Sequence, residues 1–373
     1  MKSHLDAEAA STAGLSVPGL ESVLRLFEEQ LAQGLHPGAA LTVRRGGHIV
    51  LEAYGGTSDR EGQRPVDENT LFLIFSATKP LLAVAIHMLA ERGRLSLDEP
   101  IARVWPGFAQ NGKEHVTIRH VLCHRGGFPV GPAWLTWESW RDREQIVRAM
   151  EERSARWEPG TQIGYHPLNF GWVLGEVLER VDGRSPGRFI AEELVTPLGL
   201  SNTWLGLPSE EHPRVARLKD AGANLDFIED FNRPEVHATE CGAATGITTA
   251  NDLSRFYSML VAGGEAGGQQ LLQPSTIAEA IAPASETDHD LTMGVPVRWA
   301  LGFGLARPVS PFGKHSDPRT FGHSGQGSSI GWGDPTRDLA VAYITNGVRE
   351  SSSNLTRMSR MADAILAAVP QTR

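Results

Sequence analysis

Apolar positions recur along the chain with two different periods, and the periods divide it into regions. Leu20, Val23, Leu24, Phe27 and Leu31 fall at helical spacing, and Gly34 closes the pattern, which predicts an amphipathic helix. The stretch GAALTVRRGGHIVLEAYGG that follows holds two β-type runs around Gly46-Gly47, a hairpin signal. Near the other end RWALGFGLA, TFGHSGQGSSIGWG and DLAVAYITN are three strand candidates separated by Gly, Pro and Asp turns. A last stripe of Leu355, Met358, Met361, Ala362, Ile365 and Val369 predicts a closing amphipathic helix. From Lys79 to about Arg255 the pattern is mostly helical, with irregular loops around 124–140 and 207–240.

Strands at both ends and helices between them predict an α+β fold. The terminal strands close into one antiparallel sheet, flanked by the N- and C-terminal helices, and the middle forms a mostly helical second lobe. The expected boundaries are a mobile polar leader over 1–17, a sheet-bearing lobe from 18–80 and 256–373, and a helical lobe over 81–255. The cleft between such lobes is a natural substrate site.

Charge and cysteine content narrow the partners. A net charge of −9 over 373 residues, with scattered basic residues, opposes binding to nucleic acid or to an anionic membrane surface. Only Cys123 and Cys241 are present, so free thiols in a reducing compartment are expected in place of a disulfide framework. The first residues hold no apolar run long enough for a signal-peptide core, and nowhere do eighteen apolar residues run together. The expected location is therefore cytoplasmic, with no membrane span. The thirteen histidines include no His-Glu-x-x-His, and TDHDL at 287–291 reads as a solvated loop.

Candidate chemistry starts at LFLIFSATKPLLAVAIHMLAERGRL, residues 71–95. Ser76 and Lys79, three apart, share one face of a helix. Pro80 fits only in a first turn, so the helix is expected to start at about Ser76 or Ala77. A serine at a helix N-terminus sits where free amides favour developing negative charge. The apolar runs on both sides would desolvate Lys79 and lower its pKa until it can serve as the serine's base. The plainer reading is an N-cap serine beside a solvated lysine. Two more stretches weigh against it. WEPGTQIGYHPLNFGWVLGEVLERVDGRS places Tyr165 in a Gly-flanked loop before a helix beginning near Leu168, and TFGHSGQGSSIGW puts His323-Ser324-Gly325 in a glycine-rich strand.

Ser-x-x-Lys, a loop tyrosine and then a small-residue His-Ser-Gly strand, in that order, resemble the serine β-lactamase and penicillin-binding-protein superfamily. GRLSLDEPIARVWPGF, VTIRHVLCHRGGFP, TPLGLSNTWLGLP and GITTANDLSRFYSML are similar to the family as well. Within it the chain most resembles the family VIII carboxylesterases. Tyr165-His166-Pro167 lacks the asparagine of the class C Tyr-x-Asn motif, and His323-Ser324-Gly325 lacks the lysine of Lys-Thr-Gly. Both losses weaken recognition of anionic β-lactams.

The resemblance implies a serine carboxylesterase acting on short-chain esters through an acyl-enzyme on Ser76, without metal or cofactor. Lys79 and Tyr165 would be the general base and acid, with the order between them left open. The amides of Ser76 and Gln326 would form the oxyanion hole, and His323, Ser324 and Gly325 would flank the substrate. A β-lactamase, D-amino-acid peptidase or acyltransferase of the same superfamily is the alternative, and a catalytically dead binding protein is the third reading.

Two Gly-x-Ser-x-Gly matches compete for the nucleophile. Gly183 to Gly187, around Ser185, follows a helical pattern where a nucleophile elbow needs a strand. Gly327 to Gly331, around Ser329, is strand-like, but no histidine follows His323 to complete a triad in that chain order. Trp134, Trp137 and Trp140 either wall an acyl pocket or pack on the helical lobe.

Overall fold

The computed structural model describes residues 1–369. Nine strands form one antiparallel sheet: β1 (Lys2–Leu5), β2 (Gly38–Arg45), β3 (His48–Gly56), β4 (Ser285–Thr287), β5 (Val297–Trp299), β6 (Gly304–Leu305), β7 (Phe321–Ser324), β8 (Ser329–Asp334) and β9 (Leu339–Thr345). Their order across the sheet is β1-β3-β2-β9-β8-β7-β6-β5-β4. The N-terminal hairpin therefore joins the C-terminal strands through β2 and β9, with Val43 opposite Val341.

Both faces of the sheet are covered, which explains why β9 is apolar on both of its sides from Leu339 to Ile344. Leu339, Val341 and Tyr343 point to the side of the helix Val17–Ala32 and the C-terminal helix Ser351–Ala368, where they pack with Phe27 and Ile365. Ala340, Ala342 and Ile344 point the other way, into the larger core, as the period of two requires. There the helix Ala250–Val261 crosses the sheet. It comes close because β8 carries glycines on that side: a Cβ on Gly331 would lie 2.4 Å from Tyr257, and one on Gly333 2.6 Å from Val261.

The second lobe is built on Lys79–Glu91, a helix buried along most of its length, against which Asn169–Asp182 packs. One apolar core runs from this lobe into the inner face of the sheet.

Several expectations are corrected. Residues 1–17, expected as a mobile leader, form β1 and the helix Ala7–Thr12, with Ala10 and Leu15 buried. The reason is backbone pairing: β1 satisfies the open edge of β3, from Lys2 opposite Tyr54 to Leu5 opposite Leu51, and such pairing leaves no apolar signature. RWALGFGLA and TFGHSGQGSSIGWG are hairpins, β5–β6 and β7–β8, where single strands were expected. Gly302, at φ +99°, turns the first of them with no room for a Cβ against Ala83. The expected lobe boundary at 255/256 cuts the helix Ala250–Val261, which belongs whole to the sheet it packs on. Of the expected 256–373 segment, 370–373 lie outside the described residues.

Candidate active site

Ser76 lies in a 3-10 turn, Phe75–Thr78, and the α-helix proper begins at Lys79, two or three residues later than expected. The delay originates one residue earlier. Phe75 has φ +48°, a left-handed conformation that costs a bulky residue on the order of 1–3 kcal/mol. Burial of its ring against Phe231, 4.9 Å between centroids, holds it there.

The turn is tied down from several sides. Phe72–Leu73 pairs with Ile247–Thr248, the amide of Ile74 donates to Gly246 O (3.0 Å), and the Gly246 amide donates to Thr78 Oγ1 (2.9 Å). From the sheet, Ser329 Oγ donates to Ile74 O at 2.8 Å. Ser329 is thereby a buried strut behind the neighbouring serine. Ser185, the other rival, caps the helix Pro186–Ile190 by accepting from the Arg188 amide and donates to Glu240.

Lys79 is fully buried, and its Nζ stands 3.1 Å from Ser76 Oγ. It also lies 2.8 Å from Pro167 O and 3.1 Å from Ala243 O. Carbonyl oxygens only accept, so these two contacts occupy two N–H bonds. In the neutral amine the lone pair is then left facing Ser76. Burial brings the Lys79 pKa down to about 7, so that form is populated near neutral pH.

Tyr165 sits in a segment without regular structure just before the helix Asn169–Asp182. Its ring lies 4.8 Å from Lys79 Nζ and is buried among His124, Trp299 and His323, stacking on Trp299 at an interplanar angle of 18°. Burial pushes the phenol's pKa up, a hydrogen bond with Ser76 opposes this, and the nearby Asp290 carboxylate adds to the rise. The phenol is protonated at neutral pH.

His323 is buried, and burial together with the nearby Lys79 lowers its pKa to about 3, so the imidazole is neutral. Its Nδ1 lies 2.8 Å from Ser324 O and must carry the proton there, which makes Nε2 an acceptor, buried and, among the described residues, without a partner. Position 323 therefore presents no cation.

Ser76 and Gln326 open onto one cavity of about 500 Å³. Phe75, Trp137, Trp140, Phe227 and Phe231 supply its apolar wall, and Glu138 and Asp230 are the charged residues lining it. Of the three clustered tryptophans, Trp137 and Trp140 form wall and Trp134 points to solvent. Ser324 and Gly325 lie outside this lining. Gly325 instead lets the β7–β8 turn press on the nucleophile segment, since a Cβ there would stand 2.2 Å from Ile74 O.

The order of motifs along the chain does not point to every residue that shapes the site. His124 and Trp299 frame Tyr165, and Ala243 offers only its carbonyl, which any residue type would carry. Asp290 of TDHDL, expected in a solvated loop, is fully buried and accepts from the Tyr165 amide at 2.9 and 3.1 Å. The loop around it is indeed exposed, and the one inward carboxylate meets a partner 125 residues away.

Known proteins resemble this chain in sequence and fold along nearly its whole length. The Beta-lactamase family model matches residues 23–365. The esterase/beta-lactamase LipL of Mycobacterium tuberculosis (strain ATCC 25618 / H37Rv) is 31% identical over 366 residues, covering 89% of this chain and 82% of that one. A penicillin-binding-protein homologue from Caulobacter crescentus superposes with a TM-score of 0.87 at 32% identity, over 95% of this chain and 99% of the other. A family VIII carboxylesterase superposes with a TM-score of 0.85 at 27% identity, over 97% and 99%.

Proposed function

Since the chain belongs to the beta-lactamase family, we propose that it is a serine carboxylesterase that hydrolyses short-chain esters through an acyl-enzyme on Ser76. The observation that carries this reading is the Lys79 amine, with two N–H bonds held by Pro167 O and Ala243 O and its lone pair left for Ser76. Ser76 Oγ attacks the ester carbonyl as its proton passes to Lys79. The amides of Ser76 and Gln326 receive the oxyanion. As the tetrahedral intermediate collapses, the protonated Tyr165 gives its proton to the leaving alkoxide and regains one from Lys79. Water then attacks the acyl-enzyme by the same route in reverse, releasing the acid and restoring Ser76. The high phenol pKa supports Lys79 as base and Tyr165 as acid.

An esterase is favoured over a β-lactamase by the charge of the site. β-Lactams carry a carboxylate. Here the residue in the lysine position is a neutral acceptor, position 167 offers Lys79 a carbonyl and no side-chain amide, and the charged residues of the wall are acids. Each lost hydrogen bond to a charged group is worth about 1.5–3 kcal/mol, so the pair corresponds to roughly two to four powers of ten. The buried free thiols Cys123 and Cys241 support a reducing, cytoplasmic location; among the described residues no helix is long and apolar enough to cross a membrane.

The test compares p-nitrophenyl acetate and butyrate with a chromogenic cephalosporin. Efficient ester turnover is expected, abolished in Ser76→Ala, with cephalosporin kcat/KM lower by at least about three powers of ten. Comparable rates on the two substrates would replace the esterase by a β-lactamase. A protein inert toward both would point to a peptidase, a transferase or a dead scaffold.

A further inference from the structure

Tyr165 must deliver a proton with the precision of a rigid element, yet it sits in a segment that is neither helix nor strand. Three consecutive amides around it are individually bonded. Gly164 N donates to His124 O (3.0 Å) and His166 N donates to His124 Nδ1 (3.2 Å). Between them, Tyr165 N donates to both oxygens of Asp290. His124, at φ +61°, thus holds the flanks of the tyrosine while Asp290 holds its centre.

Asp290 is built for this in its own turn. Its Oδ1 also accepts from the amides of Thr292 and Met293, each at 2.8 Å, and its backbone closes the same turn through Gly294 N and Val295 O. A second strap runs alongside, from Leu291 N to Ile163 O at 3.0 Å. The loop residues Leu291, Met293 and Val295 are exposed, so the buried carboxylate and the backbone strap beside it attach this loop to the site.

We infer that Asp290 is a positioning residue for catalysis, anchoring the Tyr165 backbone so that the phenol stays beside the Ser76–Lys79 pair. This rests on the esterase reading and on Tyr165 as its acid. A misplacement of about 1 Å in a reacting group can cost on the order of 10²-fold, so losing the anchor should lower kcat while leaving the acyl pocket, and hence KM, nearly unchanged.

Asp290→Asn is the sharpest variant. Its carbonyl oxygen can keep the Thr292 and Met293 amides and the longer contact, 3.1 Å, with the Tyr165 amide, but its NH₂ replaces the oxygen that accepts from that amide at 2.9 Å, donor against donor. Asp290→Ser, whose hydroxyl can cap the turn yet is too short to reach Tyr165, provides a second variant should the first fail to fold. Steady-state kinetics on p-nitrophenyl butyrate, normalised to fluorophosphonate-titrated sites, would be measured for each in the wild-type and Tyr165→Phe backgrounds. In the wild type we expect kcat to fall by about 10- to 100-fold with KM within about threefold. In Tyr165→Phe, where the proton donor is already gone, the same change should cost less than about threefold.

An equal factor in both backgrounds, or a raised KM at unchanged kcat, would make Asp290 a turn cap and overturn the inference. A wild-type protein inert toward esters would instead overturn the esterase reading. A Tyr165→Phe variant as fast as wild type would remove Tyr165 as the acid, and the role of Asp290 with it.

Discussion

At Lys79 the burial that makes a base also makes a liability. The folded chain holds the amine near pKa 7 against an ordinary 10.5, so between those values the unfolded chain binds one more proton. Stability then rises with pH across that window by about 1.4 kcal/mol per unit and is lowest below pH 7, where the amine is charged and buried. Lys79→Met, which carries no such charge, should therefore gain more over wild type at pH 6 than at pH 9, by about 2–3 kcal/mol, as urea unfolding at the two pH values would show. Catalysis has the same origin. Ester kcat/KM should climb as pH rises through about 7, as the base loses its proton. Lys79→Arg, permanently charged, should lose several powers of ten at every pH. An arginine variant retaining most of the activity would show that only positive charge is needed.

Among the elements, the β7–β8 hairpin does most to set the site, through contacts that have nothing to do with substrate. Ser329 holds Ile74 from behind, and Gly325 lets the turn lie against the same carbonyl. Ser329→Ala should cost about 1–2 kcal/mol of stability for the lost buried hydrogen bond and still form an acyl-enzyme, detectable by mass after incubation with a fluorophosphonate. Gly325→Ala must push the turn away from Ser76. It should destabilise the fold and lower kcat/KM by at least about 100-fold, since Gln326 leaves with it. Normal kinetics in Gly325→Ala would remove Gln326 from the oxyanion hole. The glycine pattern is visible in the sequence, but its targets are not: Gly325 faces Ile74, Gly331 faces Tyr257 and Gly327 packs against Arg349.

At the scale of the molecule, the N-terminal segment adds the outermost strand of the sheet. Residues 2–5 pair along the edge of β3, and Ser16 N bonds to Ala368 O, which ties the start of the helix Val17–Ala32 to the last turn of the helix Ser351–Ala368. Deleting residues 1–16 should leave kcat/KM within about twofold, because no part of the cavity is lost. It should also lower the thermal midpoint and promote self-association through the bared β3 edge, measurable by light scattering. Unchanged solubility and melting would mean that β1 contributes nothing to the sheet.

Much of this was legible from residue type and order. Helical spacing located the N- and C-terminal helices, alternation and turn residues located the β2–β3 hairpin, and Ser76, Lys79 and Tyr165 stood out by the order of their motifs. These signals survive because each is local: a period, a turn, a short motif. The remainder depends on partners far apart in the chain. The left-handed Phe75 is held by Phe231, β1 is held by hydrogen bonds that no side chain records, and the lone pair of Lys79 is aimed by two carbonyls that any residues could supply. Asp290 looks solvated in its own loop because its partner, the Tyr165 amide, belongs to another. Backbone groups are the same at every position, so contacts made through them are decided only when the chain has closed on itself.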